Sequence, residues 1–355
     1  MQQGVQHCTV YIPDRGEEAP ALNYPDLTGR VRRGDRVMVN TTAVDLQLGS
    51  GGYHFVMWGP EMPGHMGPGH GHIMKLNYTP WQMRVLAVEE QDSPHHEVLS
   101  ASDSVEGMPV VCLELHSQVL PTVAGIRSHN DSFKVAYIMT DGAALPLQMS
   151  STIRYLLKRS WLSTTVSAGN AFGGEREAVN IYSALLAARH VENADVAVVS
   201  IGPGAVGTGT VFGHSGMQQA QALNASLSLD ATPVMSPRFS RGDHRKRHSG
   251  MSHHSVTILR RAIFDRIYLV LPDDAGWDVW RMLRKSRVSG LHRTVSTPGW
   301  PGMQAILEDP RAEEMGGLLR YMGRSHADEI EYFLAASAAG HFAAQMAGPR
   351  GRVDQ

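Results

Sequence analysis

From Met108 onward, apolar runs of about six residues alternate with amphipathic stretches, a rhythm that predicts βα units around a parallel sheet. Strands are expected near Pro109–Leu115, Lys134–Thr140, Ser163–Ser167, Asp195–Ile201, Pro233–Arg238, Arg266–Leu271 and Leu291–Ser296. Helices are expected near Gln118–Ile126, Leu147–Arg159, Glu175–Arg189, Gly216–Ser228, His253–Ile263 and Trp277–Ser286, with a last one at Asp328–Met346. In Glu175–Arg189 the side chains of Ala178, Ile181, Tyr182, Leu185 and Ala188 share a face. Glu175 and Glu177 fall in its first turn, where the positive helix end favours acids.

Before residue 105 the pattern shortens. Arg36–Val39, Tyr53–Trp58 and Gln82–Val88 read as short strands, with the turn Gly49-Ser50-Gly51-Gly52 ahead of the second. Short strands with frequent turns predict a small barrel or sandwich. Glu89–Gly107, rich in Ser, Asp and Pro, reads as a linker. The expected fold class is α/β: a parallel, doubly wound sheet with a smaller β-rich N-terminal domain. The expected domains are a barrel- or sandwich-like 1–105 and a parallel α/β domain 108–355 with a C-terminal helix, frayed after Gly348.

Composition sets limits. A chain of 355 residues is long enough for this arrangement, and a formal net charge of −2 draws it neither to nucleic acid nor to membrane. It has no apolar run of about 18 residues and no signal-peptide core in Met1–Val10. Cys8 and Cys112 suit a reducing compartment and lack metal-finger spacing, so a cytoplasmic location is expected. Histidine is abundant, with 18 in all, several of them in Met62–His72. That Gly- and Pro-rich stretch reads as a solvated loop, able to pick up metals adventitiously without fixing a geometry.

The loops that follow strands differ from those that precede them. His116-Ser117, Asp141-Gly142, Gly169–Gly174, the glycine loop from Gly202 and Phe239–His244 follow the first five, whereas the opposite loops His190–Asn193 and Asp230–Thr232 are plain. Ligands of open parallel sheets bind where the carboxyl-end loops converge, so that edge is expected to be a site.

Gly202-Pro203-Gly204-Ala205-Val206-Gly207 matches G-x-G-x-x-G after a strand. A dinucleotide site needs its helix to begin within the motif, but Thr208, Gly209, Thr210 and Gly213 delay it and Pro203 removes an amide donor. Arg238 replaces the usual acid at the next strand end, which leaves an NADP-type site open beside a looser phosphate loop and plain structural turns. The segment 238–248 carries Arg238, Arg241, Arg245, Lys246 and Arg247 against Asp243, a formal +4. Like charges about 4 Å apart repel by about 4 kcal/mol at an effective dielectric of about 20. Such a field disfavours a divalent metal on His244, His248, His253 and Asp243, and favours an anion clamped by arginine forks. A solvated loop, or one that pairs with acids of a partner subunit, stays open. Asp141 stands where a general base, a metal ligand or a cap for Ala143–Leu145 would stand. Ser215 and Ser252 are N-cap candidates. No G-x-S-x-G, Gly-Lys-Ser/Thr loop or H-E-x-x-H occurs.

Five stretches together resemble an uncharacterised bacterial family, domain of unknown function 3866. They are V-N-T-T-A-V-D-L-Q-L-G-S-G-G-Y-H-F-V at Val39–Val56, M-T-D-G-A-A-L-P at Met139–Pro146, A-G-N-A-F-G-G-E at Ala168–Glu175, G-P-G-A-V-G-T-G-T at Gly202–Thr210 and R-F-S-R-G-D-H-R-K-R-H-S-G-M-S-H-H at Arg238–His254. The resemblance spans nearly the whole chain and implies no activity.

The residues themselves point to a cytoplasmic protein that binds, and in one version acts on, an anionic or phosphorylated small molecule. Gly202, Gly204, Gly207, Thr208 and Thr210 would hold the anion, with Arg238, Ser240, Arg245 and His254 around it. Asp141 with His248 or His253 would be the acid–base pair. No metal is assigned and no cofactor is identified. The alternatives are a non-catalytic sensor or scaffold whose basic loop meets a partner, and an NADP-type oxidoreductase. No membrane partner is expected, nucleic acid is disfavoured for want of an aromatic platform, and a homo-oligomer is compatible.

Overall fold

Alternation along Q-H-C-T-V-Y-I makes Gln6–Ile12 the first strand, β1, paired antiparallel with β2 (Glu17–Asn23) across a turn that Gly16 closes at φ +64°. β3 (Met38–Asn40) pairs antiparallel with β4 (His54–Trp58), which lies parallel to β2, so the sheet order is β1-β2-β4-β3. The hairpin of β5 (Ile73–Lys75) and β6 (Met83–Val85) and two single-turn helices, α1 (Pro25–Thr28) and α2 (Thr42–Asp45), complete this unit, Met1–Ser93. The structure is a computed structural model that describes residues 4–48, 51–62, 71–274, 277–309, 311 and 317–348. Most of the Met62–His72 stretch, Gly49-Ser50 of the expected turn and the tail beyond Gly348 lie outside the described residues.

The second unit, Pro94–Gln355, opens with α3 (His96–Ser100), in sequence that reads as linker. Eight of its strands form one parallel sheet. They are β7 (Pro109–Cys112), β8 (Val135–Thr140), β9 (Thr164–Ala168), β10 (Arg176–Ala178), β11 (Val196–Ile201), β12 (Thr232–Met235) and, past a ribbon of β13 (Phe239–Ser240) and β14 (Gly250–Met251), β15 (Tyr268–Pro272) and β16 (Arg293–Thr297). The order is β10-β9-β8-β11-β7-β12-β15-β16. Every residue of β7, β8 and β11 is buried, as central strands covered on both faces require. A further ribbon, β17 (Arg320–Tyr321) with β18 (Arg324–Ser325), follows the sheet.

Alternate strand residues define the two faces. Val111, Leu113, Tyr137, Met139, Val196 and Val198 join the core with α4 (Val119–His129), α5 (Ser151–Lys158), α10 (Trp300–Leu307) and α11 (Ile330–Met346). On the other face lie α6 (Ile181–Leu186), α7 (Met217–Ser228) and α8 (His253–Thr257), and there the Cys112 sulfur is 3.9 Å from Ser226 Oγ of α7. The remaining helix, α9 (Trp277–Ser286), packs by β14 and β15. The chain leaves β7 toward β8 on one side and leaves β11 toward β12 on the other, although β7 and β11 are neighbours. Their carboxyl ends form the topological switch point, where the two crossovers part and open a crevice.

Each apolar run expected as a strand after residue 108 is one, but the helix expected at Glu175–Arg189 is corrected. Arg176–Ala178 pairs with β9 as the edge strand, and the helix begins only at Ile181, capped by Asn180, whose side chain accepts the amides of Tyr182 and Ser183 at 2.9 and 3.1 Å. Glu177 accepts the Gly173 amide at 2.7 Å instead of facing a helix end. Among the described residues no helix is long and apolar enough to cross a membrane.

Candidate functional site

The run V-V-C-L-E-L continues past the end of β7, and its one charged residue, Glu114, is buried at the switch point. Three donors converge on that carboxylate: Arg238 Nη1 at 3.0 Å, His254 Nδ1 at 2.9 Å and Ser255 Oγ at 3.1 Å. Arg238 is equally buried and donates through Nε to the Tyr321 hydroxyl at 2.7 Å, while its Nη2 has no partner among the described residues. Burial pushes the Glu114 carboxyl up, but the Arg238 charge and the His254 hydrogen bond outweigh it and hold it at about 2.

Four histidines gather beside this pair. His254 stacks on His214 with ring centres 3.6 Å apart and planes 2° from parallel. His248 and His253 have their ring centres 4.9 and 4.3 Å from that of His254. Ser252 caps α8 by accepting the His254 amide at 3.2 Å, and its hydroxyl also meets His248 Nδ1 at 2.9 Å. Burial, with the nearby Arg238 charge, holds His248 down at about 3; burial and the neighbouring His254 hold His214 at about 4. A cavity of about 180 Å³ opens here between the glycine loop (Ala205, Gly207, Gly209) and Arg238, Arg247 and His254. The loop lies against the His254 ring at Gly207, where a Cβ would stand in ordinary contact at 3.4 Å.

The residues expected from sequence separate into groups. Arg238, His248, His253 and His254 come together, and Gly207 borders them. The Thr208 hydroxyl donates to the Gly213 carbonyl at 2.9 Å and the Thr210 hydroxyl accepts the Gly213 amide at 3.1 Å, so both hydroxyls close their own loop. Ser240 donates to Glu329 at 2.7 Å, and Arg245 grips Asp243 through two nitrogens at 2.9 and 2.7 Å. Gly202 is set by close approach, because a Cβ would fall 2.3 Å from the Ala144 carbonyl oxygen. Gly204, at φ +94°, lines a neighbouring cavity. Asp141 accepts the Asn170 amide at 2.9 Å, across the turn after β9 and not in Ala143–Leu145. Gly216 and not Ser215 caps α7; the Ser215 hydroxyl instead accepts the Val206 amide at 2.9 Å and steadies the glycine loop. The carboxylate that meets the histidines is Glu114, which sequence reading passed over inside an apolar run. A lone acid in V-V-C-L-E-L is the signal that marks it, since a charge in a buried strand needs a partner.

The neighbouring cavity, about 370 Å³, shares Leu115, Ala205 and Met322 with the first and is lined further by His116, Ser150 and Gly204. His116 bridges the Tyr137 hydroxyl at 3.2 Å and Ser150 Oγ at 2.7 Å, and Ser150 caps α5 through the Ile153 amide at 3.0 Å. Burial disfavours its imidazolium and holds it at about 4, only partly offset by a hydrogen bond to the Ile201 backbone. The unfolded chain therefore binds a proton near pH 6.5 that the folded chain refuses until about 4. Stability is complete above the higher value and falls as the pH drops between them, by up to about 3 kcal/mol. Urea midpoints should decline from pH 7 to 4.5, and His116→Gln should flatten the decline. An unchanged slope in that variant would remove His116 as its source.

A family model described as "Protein of unknown function (DUF3866)" matches residues 20–340. No curated protein and no solved structure matches the chain. With that match over most of its length, including the switch-point loops and the histidine cluster, the chain belongs to the DUF3866 family.

Proposed function

We propose that the Pro94–Gln355 unit binds a small phosphorylated molecule at the switch point, its phosphate in the 180 Å³ cavity and its remainder in the adjoining 370 Å³ cavity. One observation carries this reading: Arg238 Nη2 is buried beside the cavity without a partner among the described residues. An unsatisfied buried donor costs about 1–3 kcal/mol, more when charged, and an anion oxygen relieves it. Arg247, exposed on the same cavity wall, supplies a second guanidinium. The first cavity lies below, and the second near the lower end of, the roughly 300–1,000 Å³ of small-molecule sites, which supports a phosphate held by one compartment and a small organic body by the other. The dinucleotide alternative needs a helix that begins within the glycine motif, whereas α7 begins only at Met217. The cytoplasmic placement belongs to the same reading and draws on two free thiols, Cys8 and Cys112.

Calorimetric titration with inorganic phosphate, pyrophosphate and a panel of sugar phosphates and nucleotides tests the reading. Arg247→Ala should weaken the tightest of these by about 10–100-fold, the worth of a charge-assisted hydrogen bond, with a shallower salt dependence and an unchanged melting temperature. No affinity of the wild type for any member of the panel would end it.

A further inference from the structure

We propose that His248, His253 and His254 form a three-histidine site for a divalent transition metal such as zinc. The inference stands apart from the anion reading. One nitrogen from each ring lies within 4.8 Å of the others. The three ring centres are 4.9, 4.9 and 4.3 Å apart, for the pairs 248–253, 248–254 and 253–254. A tetrahedral zinc with bonds of about 2.1 Å holds imidazole centres about 5 Å apart, so closing on an ion needs only small ring movements.

The outer hydrogen bonds prepare the rings. Metal-bound histidines usually anchor the other ring nitrogen on a carboxylate or similar acceptor. Glu114 can only accept, so Nδ1 of His254 carries the proton and Nε2 keeps its lone pair. Ser252 Oγ meets Nδ1 of His248 and leaves its Nε2 for a ligand. The Nε2 of His253 is buried with no partner among the described residues, an orphan that a metal bond would satisfy. His248 and His254 border the 180 Å³ cavity, which gives an ion a way in.

The positive field of 238–248 opposes a cation when the segment is taken alone. In the fold two of the segment's cations are answered from far along the chain, Arg238 by Glu114 and Arg241 by Glu331, while Arg245 pairs with Asp243 within the loop. Lys246 and Arg247 are exposed, where solvent screens them.

The test uses the full chain carrying His65→Ala, His70→Ala and His72→Ala, which removes adventitious binding by the histidine-rich stretch. After chelation it is titrated with Zn²⁺, and with Co²⁺ as a spectroscopic probe. One equivalent should bind, with the intense visible bands of four-coordinate cobalt. His253→Ala and His248→Ala should each lose about 100-fold or more in affinity, beyond what loss of an outer partner costs, while His244→Ala on the same loop changes nothing. Should either variant fail to fold, ring-nitrogen NMR of the parent protein decides, with zinc shifting the Nε2 signals of these three histidines. Absence of stoichiometric binding, binding lost with the His65–His72 changes, or zinc that leaves those three signals in place would overturn the site.

Discussion

Replacing Glu114 by Ala is expected to lower the stability of the Pro94–Gln355 unit by about 3–5 kcal/mol, the cost of leaving a buried partner charge uncompensated. The whole of a domain's stability is about 5–15 kcal/mol, so the change should be visible as a large fall in its urea midpoint. The carboxylate accepts from Arg238, His254 and Ser255, and the Ser255 hydroxyl in turn accepts the Arg238 amide at 3.0 Å. Truncation strands the three donors at once, leaving Arg238 the Tyr321 hydroxyl on its Nε and a longer contact of 3.4 Å to His254 Nδ1. The paired change Glu114→Leu with Arg238→Met removes both charges and should recover much of the loss, because a buried ion pair itself contributes little over apolar residues of similar volume. A single Glu114→Ala loss below about 1 kcal/mol would show that water or a shifted side chain compensates Arg238, and that the pair does not anchor the crevice.

That pair also marks the limit of what the sequence could reveal. The sheet was legible because V-A-Y-I-M-T and V-A-V-V-S-I are runs that only a strand covered on both faces explains. The carboxyl-edge rule then placed attention on the loops after β7, β11 and β12, where the cavity lies. The partners of Arg238 and Ser240 were not legible, since each pairing joins residues far apart in the chain. Arg238 meets a carboxylate 124 positions earlier, and Ser240 meets Glu329, 89 positions later. Read locally, 238–248 is an unbalanced basic run; folded, its buried members are neutralised. The same lack of tertiary information turned Arg176–Ala178 into a helix start, because a three-residue edge strand leaves no periodicity of its own. Thr208 and Thr210 looked like anion donors for a similar reason. Nothing in G-T-G-T announces that Gly213 will occupy both hydroxyls.

Gly340→Ala should destabilise the same unit by about 3 kcal/mol or more, although helix propensity alone argues for the opposite sign. Gly340 lies within α11, where Ala is favoured over Gly by about 1 kcal/mol. Packing reverses that preference. A Cβ at Gly340 would fall 1.9 Å from the Thr122 carbonyl oxygen of α4, and one at Gly125 of α4 would fall 2.0 Å from the Ser337 carbonyl oxygen. Gly302 of α10 approaches the Gly125 backbone in the same way, with its Cβ position 2.5 Å from the Gly125 nitrogen. At Gly340 and Gly125 the nearest obstacle is backbone, not the tip of a flexible side chain, so relief requires moving a helix within a close-packed layer. Gly348, which has open space around it, serves as the control, and Gly348→Ala should be neutral. The expected consequence extends to the site, because α11 begins beside Glu329, which accepts the Ser240 hydroxyl and the Arg241 amide. Displacing α11 would shift the wall that carries the basic loop. Denaturation of Gly340→Ala read alongside its phosphate titration should show both losses together. A variant as stable as wild type would mean that α4 and α11 are not in backbone contact.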